Sequence, residues 1–332
     1  MTETKRLAYR SGKSKAHLVL MAVGTIVLAP LAQAQTYPVR PVRLITTLAP
    51  GGPVDAVARM VAARLTEQLG QQFVVDNRPG AGGSVGGEQV ARANRDGHTL
   101  LLAANGTIAV SPHLIRNLPY NAQRDLAPIS LVVSSPLALV VNPSVPAKSV
   151  QDLISLAQAR PGTINYASSG NGSTGHLAVE LFRSAAKIDL VHVPYRGAGP
   201  AMNDLVAGQV QMQITAVSGA LQFVKSGKLR ALGVTSPKRL AVLPDMPAVA
   251  ETLPGYQVVS WYGLLTTSGT PRPVIDLLNR ETIKAIEQPE LNSRLRALGL
   301  DPETSTPEAF GELIRSEYDK WGKLTKQLGL KV

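Results

Sequence analysis

A strand that turns through glycine and hydroxyl residues into a helix constrains this chain most strongly. Residues 164–181 begin with strand-like residues, pass through Gly170, Gly172 and Ser173, and continue with apolar residues at helical spacing. The first turn of a helix leaves backbone N–H groups without partners and carries the positive end of the helix dipole. The turn can therefore hold a carboxylate or phosphate without any lysine or arginine.

The same turn fits two other interpretations. Gly170, Gly172 and Gly175 match the G-x-G-x-x-G fingerprint of dinucleotide-binding folds. That fingerprint also needs an acidic residue at the end of the next strand, whereas Asp189 precedes the strand at residues 190–193. We therefore favour anion binding over a nucleotide site, and a purely structural glycine turn stays open.

Similar units occur earlier in the chain. Strand-like residues 42–48 lead through glycines into a helix that begins near Pro53, where Asp55 complements the positive helix end or faces a ligand donor. Two further strands, at residues 73–77 and 99–103, end in a glycine-rich turn and in a polar loop at Asn105. Alternating strands and helices predict a parallel sheet, so the loops 51–55, 77–83 and 105–107 should converge on one rim.

The middle of the chain predicts a second α/β unit reached by a crossing segment. Residues 129–141 are extended, with a break at Ser134-Ser135-Pro136, and residues 258–265 are suited to the return crossing. Trp261 in that return segment is expected at the hinge, on the cleft wall or in the core. The helical tail after residue 271 should pack back on the first unit. We expect lobe 1 at residues 35–138 and 262–332, and lobe 2 at 139–261.

The N-terminus has the pattern of an export signal. Basic residues precede an apolar run at residues 18–31, and Ala32-Gln33-Ala34 follows, which predicts cleavage after Ala34 rather than a retained membrane anchor. The chain has no cysteine, which excludes disulfides and thiolate metal sites and is compatible with the bacterial periplasm.

Charge and histidine spacing limit the other classes of function. The net charge of +11 falls to +7 without the leader, and its lysines and arginines are scattered, so we expect anionic solutes rather than nucleic acid as partners. The five histidines show no metal-ligand spacing. We expect a monomer with no metal and no cofactor.

One residue pattern suggests an enzyme. Gly82-x-Ser84-x-Gly86 matches the nucleophile elbow of hydrolases, but no aspartate and histidine follow in a suitable context. An exported hydrolase that uses Ser84 or Ser173 is the competing class. His176 is expected on the helix surface or behind the ligand contacts. Arg196, in a glycine loop at a strand end, either grips a carboxylate or lies on the surface.

Several motifs together resemble one family, and they cover the whole mature chain in order and spacing. They are Tyr37-Pro38-x-Arg40-Pro41-Val42-Arg43, Ala49-Pro50-Gly51-Gly52-x-x-Asp55-x-x-Ala58-Arg59, Asn77-Arg78-Pro79-Gly80-Ala81-Gly82-Gly83, Ser168-Ser169-Gly170-Asn171-Gly172-Ser173-x-Gly175-His176-Leu177, Val193-Pro194-Tyr195-Arg196-Gly197 and Ser260-Trp261-x-Gly263. The chain resembles the tripartite tricarboxylate transporter receptors, which are Bug-type periplasmic solute-binding proteins.

The resemblance implies a class II periplasmic-binding-protein fold, in which two α/β lobes joined by crossing strands close on a small carboxylate. It implies membrane transporter subunits or a sensor protein as the partner, with sensing without transport as the alternative role. It does not name the carboxylate. The ligand-binding residues expected from the motifs and the strand-end argument are Gly51, Gly52, Asp55, Asn105, Ser168, Ser169, Gly170, Ser173, Thr174, Tyr195, Arg196, Gly197 and Trp261.

Overall fold

The computed structural model describes residues 37–48, 50–195, 197–240, 243–327 and 329. The expected leader and its cleavage site therefore lie outside the described residues, as does Arg196. Among the helices that are described, none has the length and apolar character needed to cross a membrane.

Ten strands are described. They are β1 (Val42–Thr46), β2 (Phe73–Asn77), β3 (Thr99–Ala104), β4 (Leu126–Val141), β5 (Asn165–Ser168), β6 (Val191–Pro194), β7 (Met212–Ala216), β8 (Arg230–Val234), β9 (Val259–Thr267) and β10 (Asp301–Pro302).

The described part of the chain also contains eleven α-helices. They are α1 (Pro53–Leu69), α2 (Ser84–Ala91), α3 (Ser111–Leu114), α4 (Ala122–Asp125), α5 (Val150–Ala159), α6 (Thr174–Ala186), α7 (Ala198–Val206), α8 (Val217–Lys225), α9 (Arg272–Glu287), α10 (Pro289–Ala297) and α11 (Pro307–Gln327).

The strands follow the order β2-β1-β3-β9-β4-β7-β5-β6, with β8 and β10 also paired to β4. Strands β2, β1 and β3 are parallel to one another, and β6, β5 and β7 form a second parallel set. Strands β4 and β9 run antiparallel between these two sets. This arrangement gives the two α/β lobes that the sequence predicts.

Strand β4 belongs to both lobes. Its first part, Leu126 to Pro136, pairs with β9, and Leu137 to Val141 pairs with β7 and β8. The sequence predicted two segments broken at Ser134-Ser135-Pro136, but the structure has one strand of 16 residues. The change of partner occurs after Pro136, which lacks an N–H and is tolerated where pairing changes. The exact residue boundaries of the two lobes stay a prediction.

Local signals explain how several helices begin. Pro53 is the first residue of α1 and Asp55 lies in its first turn, while the side chain of Ser149 accepts a hydrogen bond from the Asp152 N–H at the start of α5.

The polar loop predicted at residues 105–107 is instead helical. Gly106–Val110 forms a π-type helical segment that continues directly into α3. Buried Ile108 and Val110 anchor this segment.

The last helix does not pack on one lobe alone. Phe310 and Ile314 of α11 lie in a buried cluster with Trp261 and other lobe 1 residues. Farther along the same helix, Trp321 and Leu324 join the core that surrounds α6 in lobe 2. The prediction that the tail packs back on the first unit therefore describes only the first part of α11. Helix α11 therefore packs on both lobes and against β4, the strand that the lobes share.

Candidate ligand-binding cleft

A cavity of about 740 Å³ lies between the two lobes. It is bordered by the ends of strands and the starts of helices from both of them. The residues that line it are Leu48, Pro53, Val54, Gly82, Ala104, Gly106, Thr107, Ser111, Leu114, Ile115, Arg116, Ser135, Leu137, Ser169, Asn171, Gly172, Ser173, Thr174, Gly175, Gly197, Ala198, Gln213, Ile214, Thr215, Ala216, Ser260 and Tyr262. None of these is acidic, and Arg116 is the one with a full positive charge.

Several helical N-termini border this cavity. Pro53 and Val54 begin α1, Gly106 and Thr107 begin the helical segment before α3, Thr174 and Gly175 begin α6, and Ala198 begins α7. Each N-terminus carries the positive end of its helix dipole. Since none of the described lining residues is acidic, the electrostatic potential of the cavity favours an anion.

The start of α6 presents two free backbone donors. The Ser173 N–H donates to the Gly170 carbonyl at 3.2 Å, and the His176 N–H donates to the Ser173 hydroxyl at 3.3 Å. The N–H groups of Thr174 and Gly175 lie between these two in sequence and have no acceptor within the described part of the chain, and both residues line the cavity. Two adjacent helix-end amides of this kind form a site for a carboxylate.

A histidine of α6 holds the turn that precedes this helix. The Gly172 N–H donates to Nδ1 of His176 at 3.1 Å, so this ring nitrogen is unprotonated. The imidazole of His176 stacks on that of His192, with ring centroids 4.2 Å apart. His192 Nε2 in turn shares a hydrogen bond of 2.7 Å with the Ser168 hydroxyl. Both ends of the turn are thus fixed to one ring stack, in which His176 is buried and His192 is half-buried.

Burial of the ring stack favours neutral histidines. Burial and the neighbouring His192 lower the pKa of His176 to about 4, although Glu180 acts in the opposite direction. Burial also lowers the pKa of His192. Glu180 is itself bonded to the Tyr166 hydroxyl at 2.6 Å and to Arg183 at 2.9 Å, which compensates its charge. At neutral pH both imidazoles are therefore uncharged.

Asn105 connects the two lobes beneath the cavity. It is fully buried, and its Oδ1 accepts hydrogen bonds from Ser260 at 2.9 Å and from Thr174 at 3.4 Å. Thr174 begins α6 in lobe 2, whereas Asn105 ends the β3 region in lobe 1. The contact therefore fixes the position of the α6 N-terminus relative to the opposite wall.

The three lobe 1 loops meet at one rim, as the strand-end argument predicts. The amide of Asn77 donates to the Asp55 carboxylate at 2.9 Å, and the hydroxyls of Thr47 and Thr107 are 3.1 Å apart. A Cβ at Gly83 would lie 2.3 Å from the Thr107 hydroxyl, so only glycine fits there. The predicted convergence is confirmed.

Asp55 is used within the protein. Its carboxylate accepts from the Gly51 N–H at 2.9 Å and from Arg59 at 3.0 Å, in addition to Asn77. Burial alone would raise the pKa of Asp55, but these hydrogen bonds hold it below its usual range. Asp55 therefore shapes the turn that precedes α1, and it does not line the cavity.

The residues predicted for ligand contact divide into two groups. Ser169, Ser173, Thr174 and Gly197 line the cavity. The structure places the others behind the lining or away from it: Gly51, Gly52, Asp55, Asn105, Ser168, Gly170, Tyr195 and Trp261. Arg196 lies outside the described residues. Their direct contact with a ligand stays a prediction.

Two of the residues outside the lining have identifiable structural contacts. Trp261 packs edge-on against Phe310, with ring centroids 5.2 Å apart, and is buried in lobe 1. This is the core position that the sequence left open for it. The Tyr195 hydroxyl donates to Asp204 of α7 at 2.7 Å, so the Tyr195 side chain is bonded to that helix.

Sequence reasoning missed much of the cavity wall. Leu114 ends the short helix α3, Ile115 and Arg116 follow it, and no motif marks these three residues. Thr215 and Ala216 end strand β7, so the strand-end rule would have found them. Tyr262 and Leu137 belong to the crossing strands, where the sequence indicated a hinge or cleft wall at Trp261 but did not mark these two residues.

Ser84 and Ser173 carried the hydrolase interpretation, and Gly175 was part of the dinucleotide fingerprint. The structure shows what each of these residues contacts. Ser84 is buried at the start of α2 and is not among the lining residues. Ser173 caps α6, where its hydroxyl accepts the His176 N–H rather than meeting an imidazole nitrogen. A Cβ at Gly175 would lie 2.4 Å from the Ile214 carbonyl, so this glycine permits close packing of α6 on β7.

Comparison with known proteins agrees with this geometry. Residues 57–330 match the model of the tripartite tricarboxylate transporter family receptors. The chain belongs to this family. Protein BugT of Bordetella pertussis is 36% identical over 314 residues, which cover 93% of this chain and 96% of BugT.

Two solved structures of similar proteins contain a ligand. Rpa4515 of R. palustris with adipate has a TM-score of 0.82 and 34% identity, and the match covers 89% of this chain and all of that one. MatC of Rhodopseudomonas palustris with bound malate has a TM-score of 0.78 and 32% identity, and covers 87% of this chain and 99% of its own. The chain is thus a Bug-type receptor of a periplasmic solute-binding family, with the two-lobed fold expected from its motifs.

Proposed function

We propose that this receptor binds one small carboxylate in the cleft between its lobes, closes on it and passes it to tripartite tricarboxylate-type transporter subunits. The observation that carries the proposal is the pair of free N–H groups of Thr174 and Gly175, which point to an anion at the start of α6. The surrounding helix ends, and the absence of acidic side chains among the described residues of the lining, support the same charge preference.

The distribution of the lining residues supports closure. Donors from lobe 2, at residues 169–175, face residues of lobe 1 across the cavity, and strands β4 and β9 connect the lobes beneath it. A ligand that contacts both walls stabilises the closed arrangement by the contacts that exist only there. Adipate and malate in the two similar structures are carboxylates, which supports the proposed chemistry.

The primary test measures thermal unfolding of the protein that starts at Gln35. It is first unfolded and refolded to remove carried-over solute, and then mixed with mono-, di- and tricarboxylates. A ligand at ~100 times its dissociation constant adds about 2.7 kcal/mol to the free energy of unfolding, which raises the midpoint by several degrees. Each active acid is compared with its amide. If no carboxylate shifts the midpoint, or if the amides are equally active, the proposal is wrong.

A proline substitution tests the α6 amides directly. Thr174 is the first residue of the helix, where proline is well tolerated, and Ser173 before it is extended. Thr174→Pro therefore removes one donor while the helix start is kept. A hydrogen bond to a charged group contributes about 1.5–3 kcal/mol, so affinity should fall about tenfold or more.

Thr174→Val is the matched control for that variant. It removes the hydroxyl that bonds Asn105 but keeps the backbone N–H. We expect it to retain affinity within a few-fold of the unchanged protein. Equal losses in the two variants would show that the hydroxyl, and not the amide, matters.

A further inference from the structure

The two walls of the cavity differ in chemistry. The lobe 2 wall carries the free amides of α6 and the polar turn before it. The opposite wall, from lobe 1 and the crossing strands, presents Leu48, Val54, Leu114, Ile115 and Tyr262. Leu48 keeps 43% of its surface exposed, although most leucines of the described chain are buried. An exposed leucine at the edge of a binding cavity suits an apolar ligand group.

Three hydroxyl groups of the lobe 1 wall are already hydrogen-bonded within the protein. Ser111 donates to the Gly82 carbonyl at 3.0 Å, and Ser260 donates to Asn105 at 2.9 Å. The hydroxyl of Thr107 is bonded to that of Thr47 at 3.1 Å. What these residues offer to a ligand is therefore largely the carbon part of their side chains.

The described residues that line the cavity offer no charged partner for a cationic ligand group. None of them is a carboxylate, and the one ionic side chain among them is Arg116, which is exposed to solvent. An ammonium group that loses its hydration in such a site pays a large desolvation cost without compensation. Gln213 also lines the cavity and its Oε1 accepts no hydrogen bond from the described residues, but this amide is a neutral acceptor and does not replace a carboxylate.

Resting on the proposed function, we propose that this receptor selects carboxylates with an extended apolar body and without an ammonium group. The carboxylate binds the α6 amides, and the aromatic, branched or alkyl body packs on the apolar wall. A cavity of about 740 Å³ has room for a body of a dozen non-hydrogen atoms.

Two matched ligand pairs test the selection by isothermal titration calorimetry. 3-Phenylpropanoate and phenylalanine differ only in the α-ammonium group, and hexanoate and acetate share a head but differ in the apolar body. We expect 3-phenylpropanoate to bind at least tenfold more tightly than phenylalanine, and hexanoate at least tenfold more tightly than acetate. Phenylalanine or malate binding as tightly as 3-phenylpropanoate would overturn the inference.

A variant of the apolar wall gives a second test. Ile115→Asn should weaken 3-phenylpropanoate at least fivefold. Leu298→Asn is the control, because Leu298 is an exposed apolar residue outside the cavity. Circular dichroism melts establish that both variants fold. An unchanged affinity of folded Ile115→Asn would contradict the role of this wall.

The failure of this inference can be told apart from failure of the proposed function. If malate binds well and its binding requires the carboxylates, whereas the apolar acids bind weakly, the receptor function stands and the apolar selection is wrong. If neither malate nor any apolar acid binds, the carboxylate receptor proposal itself fails.

Discussion

Gly172 donates its backbone N–H to Nδ1 of His176 at 3.1 Å, and this bond holds the turn in front of the free α6 amides. We predict that His176→Phe, which keeps a stacked ring but has no acceptor, weakens carboxylate binding. The loss of one neutral hydrogen bond, about 1 kcal/mol, corresponds to roughly fivefold in affinity. Titration calorimetry with the tightest ligand of the carboxylate series measures it.

Tyr166→Phe is the control for that prediction. It removes the hydroxyl that donates to Glu180 at 2.6 Å but leaves the Gly172 bond in place. This variant should be less stable and bind within twofold of the unchanged protein. Full affinity in His176→Phe would mean that the turn keeps its shape without the histidine.

Stability should decrease in acid because His176 is buried in its neutral form. Its pKa falls from 6.5 to about 4 on folding, so between these values the unfolded chain binds a proton that the folded chain does not. The stabilisation is fully present above about pH 6.5 and is lost as the pH falls towards 4. Urea unfolding at several pH values measures this slope.

The His176→Phe variant isolates this contribution from that of the acidic residues. Because phenylalanine does not titrate, the variant should lose less stability than the unchanged protein between pH 6.5 and 4. Parallel curves for the two proteins over that range would show that another group accounts for the acid sensitivity.

Replacing Gln213 with an apolar residue should raise the stability of the protein and weaken ligand binding. It is 2% exposed, it lines the cavity, and its Oε1 accepts no hydrogen bond from the described residues. A buried polar atom without a partner costs about 1–3 kcal/mol, so Gln213→Met should raise the free energy of unfolding by about 1 kcal/mol. Ligand affinity should decrease, because an amide that lines the cavity is lost.

Gln68 supplies a matched control for this substitution. Both side-chain polar atoms of Gln68 are also buried without partners, but it lies on α1 away from the cavity. Gln68→Met should stabilise the protein and leave binding unchanged. If Gln213→Met instead destabilises the protein with full affinity, Gln213 has a structural role.

Gly175→Ala should impair both folding and binding. Its Cβ would lie 2.4 Å from the Ile214 carbonyl in β7, so α6 would have to move and take its free amides with it. Such overpacking costs about 1–3 kcal/mol. Gly219→Ala in α8 has no atom within 4 Å of the new carbon and should be neutral or stabilising. Chemical unfolding and calorimetry compare the two.

Local sequence patterns predicted the helix and strand units well, because their signals lie within a few residues of each element. The glycine turns at residues 51–53 and 170–175, the proline at the start of α1 and the serine cap of α5 are of this kind. The helical segment at Gly106–Val110 was missed because the polar residues at its start predict a loop. Its stability comes from the burial of Ile108 and Val110.

The amino-acid sequence by itself determined the two α/β lobes, the family and the glycine turn that leads into α6, since periodicity, motifs and cap residues specify these locally. Only the tertiary structure decided which residues face the cavity. Trp261 and Asp55 have side chains suited to a ligand. Trp261 packs against Phe310 instead, and the Asp55 carboxylate is hydrogen-bonded to Arg59 and Asn77. Leu114 and Ile115 have no binding signature, and they form the wall because the packing of two lobes brings them opposite α6.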